Sequence, residues 1–226
     1  MIPMYMKDCY LKEFDTEVKS VDGNYVEFND TIFYPRSGGQ PCDHGTINGI
    51  RVDEVIKRGG KILHKLSEPV SGKVHMKIDW ERRYKFMRSH TAAHILSSVI
   101  FKETGALITG NQISEDKIRI DFNLPEFDRS RLSEWERKAN EIISEGHAVK
   151  TYVLPREEAF KIPDLVKLKK MLPESIQEIR IVEIEGIDIQ ACGGTHVKNT
   201  SEIGKIKITK AENKGKNNRR IYFEIL

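Results

Sequence analysis

His90-Thr91-Ala92-Ala93-His94 is the stretch that decides how this 226-residue sequence is organised. Residues i and i+4 of a helix share one face, with Cβ atoms about 5–6 Å apart, so both imidazoles can reach a single ion. The flanks favour a helix, because Asp79 is a typical N-cap residue before Trp80 and Gly105 is a typical C-terminal stop. The sequence therefore predicts a helix over 80–104 that carries two metal-ligating side chains.

Cys192-Gly193-Gly194-Thr195-His196 supplies a second pair of candidate ligands, 98 residues after His94. Two consecutive glycines favour a tight turn over a helix, and a thiolate and an imidazole can still converge across such a turn. Three imidazoles and one thiolate suit zinc well, iron or copper less well, and magnesium or calcium poorly. We therefore predict one Zn²⁺ per chain, held by His90, His94, Cys192 and His196. The alternative is a closed zinc staple that only joins two distant segments.

Helix-borne HTAAH followed by CGGTH resembles the editing domains of alanyl- and threonyl-tRNA synthetases and their freestanding relatives. Residues 33–45, Phe-Tyr-Pro-Arg-Ser-Gly-Gly-Gln-Pro-Cys-Asp-His-Gly, resemble the glycine-rich motif that precedes the editing domain of the alanyl enzyme. Residues 118–122, Ile-Arg-Ile-Asp-Phe, resemble the family's strand after the first helix. On this resemblance, which spans nearly the whole chain, the sequence is identified as a member of the freestanding alanyl-tRNA editing family (AlaX type, longer form).

The resemblance implies a trans-editing hydrolase whose partner is mischarged tRNA(Ala). It would deacylate seryl-tRNA(Ala), and glycyl-tRNA(Ala) more weakly, by zinc-dependent ester hydrolysis at the four metal ligands. A synthetase site for alanine rejects serine and glycine poorly, since such small differences are worth about 1–3 kcal/mol. A second site that hydrogen-bonds the serine hydroxyl discriminates the other way, because alanine would leave a buried polar group unpaired.

Substrate-binding residues are predicted at several places outside the ligand set. Thr109, in a predicted turn over 107–112, is the first choice for the serine hydroxyl and Gln112 the second, with an ordinary turn threonine as the alternative. The glycine-rich segment suits either a loop that brings backbone close to a ligand or a structural crossover. The full predicted set is Gly38, Gly39, Gln40, Arg88, Thr109, Gln112, Lys214, Lys216 and Arg219.

Basic residues concentrate in two segments, although the net charge of the chain is only +3. Between Lys198 and Arg220, eight basic residues stand against two acidic ones. This excess is typical of a surface that binds a phosphate backbone, and a lysine-guarded edge strand is the alternative. Cations also crowd the first half of the predicted helix, where the helix dipole disfavours them, which indicates either a phosphate partner or a solvated face: Arg82, Arg83, Lys85 and Arg88.

Residues 1–79 are predicted to form a small β-barrel domain that contains the glycine-rich motif. Apolar and polar residues alternate there between turn signals such as Asn48-Gly49 and Gly59-Gly60, which supply the positive φ of tight hairpins. Residues 80–226 are predicted to form a zinc-containing tRNA-editing domain. The predicted fold class is therefore α+β.

Within residues 80–226, helices are predicted to pack on a largely antiparallel sheet, because helical and strand-like segments follow one another in mixed order. A second helix is predicted from near Asp128 or Ser130 to Gly146. The segment 161–175, with a basic run at 167–170, is interpreted as a flap beside the site.

Several function classes are disfavoured by what the sequence lacks. The sequence has no Gly-x-x-x-x-Gly-Lys loop, the motif that would indicate ATP use. It also has no apolar run near 18 residues and no signal-peptide pattern, the features that would indicate a membrane protein or an exported one. Three cysteines without framework spacing favour a reducing cytoplasm. A zinc protease is disfavoured because Thr91 occupies the position of the glutamate in His-Glu-x-x-His.

Two other functions stay open at this point. One is a non-catalytic RNA-binding module with a structural zinc, in which Lys and Arg supply the affinity. The other is editing of seryl-tRNA(Thr). If all four protein ligands bind zinc, either a water must expand the coordination shell or the metal holds the amino group of the substrate. The oligomeric state, a monomer or a weak dimer, is left open as well.

Overall fold

The structure is a computed structural model that describes residues 2–125, 128–166 and 174–226, and the predicted α+β class is confirmed. The predicted flap over 161–175 lies partly outside the described residues. The helices are α1 Met4–Lys7, α2 Trp80–Thr104, α3 Arg131–Glu145, α4 Arg156–Ala159 and α5 Pro163–Val166, with a 3-10 helix at Thr200–Ile203. The strands are β1 Glu13–Asp22, β2 Tyr25–Phe28, β3 Gly45–Ile47, β4 Ile50–Val52, β5 Val55–Arg58, β6 Lys61–Lys65, β7 Lys73–Ile78, β8 Ile108–Ile113, β9 Ile118–Phe122, β10 Val149–Pro155, β11 Glu178–Ile184, β12 Asp188–Ala191, β13 Ile206–Asn213 and β14 Arg219–Ile225.

The chain folds into two compact units. The first comprises Met1–His90, Gly110–Ile118 and Gly194–His196, and the second comprises Thr91–Thr109, Arg119–Gly193 and Val197–Leu226. The predicted domain boundary after residue 79 stays a prediction. Within the described ranges, no helix is both long and apolar enough to cross a membrane.

The first unit is built on a seven-stranded antiparallel sheet in the order β4-β3-β7-β1-β2-β6-β5. Asn48-Gly49 connects β3 to β4 and Gly59-Gly60 connects β5 to β6, with φ between 49° and 83° at all four residues. Positive φ at both central residues matches the right-handed twist of the paired strands. The hairpin positions predicted from these dipeptides are therefore confirmed.

The core of this sheet follows from strict alternation along its strands. In β7, Val74, Met76 and Ile78 are buried and the residues between them are exposed. Each such aliphatic side chain contributes roughly 1.5–3 kcal/mol when it is fully buried. Because the side-chain period of a strand is two, a one-residue slip would expose all three, and this fixes the register.

Helix α2 has the predicted bounds. Asp79 Oδ1 accepts the backbone N–H of Arg82 at 3.1 Å, and Gly105 ends the helix with φ of 70°. All residues from Ser89 to Ile100 are buried, so this stretch is enclosed on every side. Two histidines in such a stretch have little rotamer freedom, which suits ligands of a fixed site.

In the second unit, helix α3 begins after Ser130 and ends at Gly146, which has φ of 77°, as predicted. Its buried residues are Trp135, Ala139 and Ile143, which recur at helical spacing. The remaining strands form a three-stranded sheet in the order β10-β11-β12 and a four-stranded sheet in the order β13-β14-β9-β8. Strand β12 leads directly into Cys192 and thus delivers the second ligand motif.

Candidate metal centre

The four predicted ligands lie together. One ligand atom each from His90, His94, Cys192 and His196 lies within 4.8 Å of the other three, and the histidines are buried while Cys192 is partly buried. A tetrahedral zinc ion with bonds of about 2.0–2.3 Å has ligand atoms roughly 3.3–3.7 Å apart. The cluster could therefore hold a metal ion after small side-chain adjustments. Among the residues that the structure describes, it is the only group of this kind.

His90 is oriented by Gln40. Its Nδ1 lies 2.9 Å from the amide Oε1 of Gln40. An amide oxygen only accepts hydrogen bonds, so Nδ1 carries the proton and Nε2 keeps the lone pair that a metal needs. Gln40 is 1% exposed and also donates from Nε2 to Thr195 Oγ1 at 2.9 Å. Gln40 therefore joins both ligand motifs, and its predicted contact with substrate stays a prediction.

His94 is oriented by Asp188, a residue that the sequence analysis missed. Nδ1 of His94 lies 3.0 Å from Asp188 Oδ2. Burial lowers the pKa of His94, but hydrogen bonds and negative charge from Asp188 and Cys192 outweigh it and raise the pKa to about 10. The same anionic surroundings favour a metal cation that competes with this proton. A carboxylate at the start of the strand that leads into Cys192, four residues before it, was the available signal.

Gly194 is required by a close approach. A Cβ atom at Gly194 would overlap the imidazole of His90 and would lie 3.2 Å from Gln40 Oε1. The backbone φ of Gly194 is not in the left-handed region, so the constraint is purely steric. The second ligand motif thus needs glycine here to bring Thr195 and His196 against the helix-borne His90.

Thr91, which replaces the protease glutamate, has a structural contact. Its side chain is fully buried, and its Oγ1 accepts the backbone N–H of Val197 at 3.3 Å. This hydrogen bond ties the residue after the second motif to α2. The position that supplies a general base in zinc proteases is therefore used for packing.

A cavity of about 260 Å³ lies beside Asp188, and its walls are mostly apolar. Thr109 and Ser97 also line it. Thr109 lies on strand β8 and not in the predicted turn over 107–112, which was wrong because the whole of 108–113 is paired. Gln112 is not among the described residues that line the cavity. The cavity thus brings the predicted serine sensor near the residue that orients His94.

The two consecutive glycines of the glycine-rich segment make a tight turn. Gly38 and Gly39 have φ of 54° and 81°, and Ser37 and Gln40 exchange backbone hydrogen bonds of 3.2 and 2.9 Å across them. This pattern matches a type I′ turn. A Cβ atom at Gly39 would overlap the side chain of Asn111. These contacts give the turn a structural role, and substrate binding by Gly38 and Gly39 stays a prediction.

The cations at the start of α2 are not a uniform phosphate-facing surface. Arg83 is fully buried and forms an ion pair with Asp43, so its predicted exposure to phosphate or solvent was wrong. Helical periodicity explains this, because residue 83 shares the face of the buried Phe86 and Met87. Arg88 is half-buried, and its contact with substrate stays a prediction.

Two of the predicted RNA-binding cations in the C-terminal basic segment have partners inside the protein. Lys214 pairs with Glu212 at 2.9 Å, and the hydrogen bonds from neighbouring lysines lower the pKa of Glu212 to about 2. Arg219 is 7% exposed and donates to the carbonyl oxygen of Gly215 at 2.6 Å, which braces the β13–β14 turn. Lys216 is exposed. RNA contacts by Lys214, Lys216 and Arg219 stay predictions.

Comparison with known proteins finds close similarity along the whole chain. The chain is 48% identical over 240 residues to the alanyl-tRNA editing protein AlaX-M of Methanosarcina mazei, which covers 99% of this chain and 96% of that protein. It is 47% identical over 232 residues to AlaX-M of Saccharolobus solfataricus, which covers 98% of each.

The chain also resembles part of a larger enzyme. It is 39% identical over 214 residues to the alanine–tRNA ligase of Ignicoccus hospitalis, which covers 91% of this chain and 24% of the ligase. Residues 179–222 match the family described as the threonyl and alanyl tRNA synthetase second additional domain. The second ligand motif lies inside that match.

Proposed function

The chain belongs to the AlaX-M family of alanyl-tRNA editing proteins, and from this premise we propose that it hydrolyses the ester of seryl-tRNA(Ala), and that of glycyl-tRNA(Ala) more slowly. The observation that carries the proposal is the convergence of His90, His94, Cys192 and His196 within 4.8 Å. Their donor set fits one Zn²⁺. The expected partner is mischarged tRNA(Ala), and the expected location is the cytoplasm, where charged tRNA is used.

A bound zinc ion would supply Lewis acidity toward the ester carbonyl or would lower the pKa of a water molecule toward about 7. The protein holds the His94 ligand for this task, because Asp188 accepts its Nδ1 proton and leaves Nε2 as the ligand atom. Thr91 provides no general base, so amide hydrolysis is not expected. An aminoacyl ester is activated already and needs less assistance.

The cavity beside Asp188 is our candidate site for the aminoacyl group. Thr109 presents a hydroxyl there and is the predicted partner of the serine hydroxyl. Ser97 is the competing candidate, since its Oγ is buried and has no hydrogen-bond partner among the described residues. A buried hydroxyl such as that of Ser97, if it is paired only when serine is bound, would be left unpaired by alanine at a cost of about 1–3 kcal/mol. Thr109 is exposed, so this penalty would apply to its hydroxyl only when bound substrate excludes water.

Single-turnover deacylation tests the reaction and its specificity together. Seryl-, glycyl- and alanyl-tRNA(Ala) are compared with and without a zinc chelator, followed by addition of excess Zn²⁺. We expect fast loss of serine, slower loss of glycine, little loss of alanine, and reversible inhibition by the chelator. Failure to hydrolyse any ester would favour an RNA-binding module with a structural zinc, and faster hydrolysis of seryl-tRNA(Thr) would reassign the substrate.

Thr109→Val and Ser97→Ala separate the two candidate hydroxyl sensors. Loss of the true sensor should lower the ratio of seryl to alanyl hydrolysis by about 10-fold or more, which corresponds to roughly 1.4 kcal/mol. Our expectation is that Thr109→Val lowers this ratio and that Ser97→Ala lowers it less. The reverse order would assign the role to Ser97, and no change in either variant would remove the cavity from the proposal.

A further inference from the structure

We propose that Gln40 is a positioning residue of the metal site and not a contact for tRNA, an inference that rests on the proposed function. The glycine-rich motif would then act on the reaction by fixing two ligand-bearing segments. The first observation is burial, because Gln40 is 1% exposed and its polar atoms are engaged inside the protein. A side chain in this position has no surface to offer to RNA.

The direction of the Gln40 amide is determined by Thr195. The backbone N–H of Thr195 is an obligatory donor, and it lies 3.3 Å from Oε1 of Gln40. The amide NH₂ group then faces Thr195 Oγ1 at 2.9 Å. Oxygen must therefore face His90, where it accepts the Nδ1 proton at 2.9 Å. A flipped amide would place its NH₂ group against the backbone N–H of Thr195, where two donors meet and the hydrogen bond is lost.

This direction fixes the tautomer of His90. With the proton held on Nδ1, Nε2 carries the lone pair that a cation needs, and the ring cannot rotate without breaking its bond to Gln40. His94 has the same arrangement with the carboxylate of Asp188. His90 is thus held by a neutral amide and His94 by an anion, which would limit the negative charge around a bound metal ion.

Two glycines bring the Gln40 amide to this position, Gly39 before it in the chain and Gly194 in the second ligand motif. Gly39 packs so closely on Asn111 that a Cβ atom would lie 2.8 Å from the Asn111 carbonyl oxygen, and the Gly39 carbonyl accepts the Ile113 N–H at 2.8 Å. Gly194 lies against the imidazole of His90. The tight turn therefore places its fourth residue, Gln40, between the two ligand motifs.

The test compares Gln40→Met, which keeps the length but removes both hydrogen-bonding groups, with Gln40→Glu, which keeps an acceptor for His90. Zinc affinity is measured by competition with a chromogenic chelator, and Co²⁺ absorption reports the ligand geometry. We expect Gln40→Met to lose about 10–100-fold in Zn²⁺ affinity and Gln40→Glu to lose clearly less. Gln177→Met, at an exposed glutamine, is the matched control and should bind Zn²⁺ like the wild type.

The outcomes separate this inference from the proposed function. If the wild-type protein does not bind Zn²⁺, the proposed function fails first. If it binds and Gln40→Met keeps the wild-type Zn²⁺ affinity, the inference is overturned, whether or not binding of tRNA is weakened. If Gln40→Met does not fold, Thr195→Val carries the test, because it removes the acceptor of the Gln40 NH₂ group. Unchanged zinc affinity in that variant would equally overturn the inference.

Discussion

Asp43→Asn is expected to destabilise the protein more than any surface substitution, because Asp43 neutralises a guanidinium inside the first unit. Both side chains of the Arg83–Asp43 pair are fully buried, and Arg83 Nε lies 3.0 Å from Asp43 Oδ1. Arg83 also donates to the carbonyl oxygens of Cys9 and Ile32. Asp43 Oδ2 in turn accepts the backbone N–H of Tyr34 at 2.6 Å.

The magnitude follows from what asparagine leaves behind. Asp43→Asn keeps the shape and one acceptor but removes the counter-charge, so the guanidinium stays buried and uncompensated. Breaking such a pair on one side costs about 3–5 kcal/mol, a large part of a total stability of about 5–15 kcal/mol. Arg83→Met leaves the Asp43 carboxylate buried without a counter-charge, at a similar cost in stability. The double variant should lose about 2–3 kcal/mol less stability than the sum of the losses in the two single variants.

Urea unfolding of the four proteins, followed by tryptophan fluorescence, measures this coupling, and Trp80 lies in the same unit as the pair. Asp53→Asn is the matched control, because Asp53 forms an exposed pair with Arg51 at 2.8 Å. That pair should be worth no more than about 1 kcal/mol. A loss below about 1 kcal/mol in Asp43→Asn, or strict additivity in the double variant, would refute the assignment of a buried charged pair.

Three further substitutions have defined outcomes. His64 is fully buried, and its burial lowers its pKa to about 4. Because the unfolded chain takes up this proton near pH 6.5, the zinc-free wild type should lose roughly 2 kcal/mol more stability than His64→Phe between pH 7.5 and 5. Urea titrations at the two pH values measure this difference, and equal losses would contradict it. Gly194→Ala should weaken Zn²⁺ binding at least about 10-fold in the chelator competition, because the new methyl group overlaps His90, and wild-type affinity would mean that the loop can move. Cys192→Ala should abolish deacylation while circular dichroism and tRNA binding persist, whereas global unfolding would favour a structural zinc.

The metal cluster and the tight turns were within reach of sequence reasoning because they depend on local geometry. His90 and His94 share a helix face whatever surrounds the helix, and Asn48-Gly49 favours a hairpin whatever the sheet does. That Cys192 and His196 would meet them depended on a fold that joins segments 98 residues apart. Spacing alone could not show this, and the chemical match of the two motifs carried the prediction.

The residues that orient the ligands were not identified in advance. Gln40 was predicted to bind substrate as part of the glycine-rich loop, and the sequence alone does not show that its amide is buried. Arg83 was treated as part of a charged surface, although positions 83, 86, 87 and 90 lie on one helical face. Charge outweighed periodicity in that interpretation. In the structure periodicity decides the position of Arg83, because its ion pair with Asp43 allows an arginine to occupy a core position.

Gln40 and Asp43 together show what the glycine-rich segment does for α2. Gln40 reaches His90 and Asp43 reaches Arg83, and these two helical residues are seven apart, which is two turns along one face. A segment built to contact RNA would present such side chains outward, yet both are buried. The two contacts also have separable consequences, since loss of Gln40 should lower zinc affinity, whereas loss of Asp43 should lower stability and leave zinc affinity close to that of the wild type. If both variants lowered only the affinity for tRNA, this account of the segment would fail.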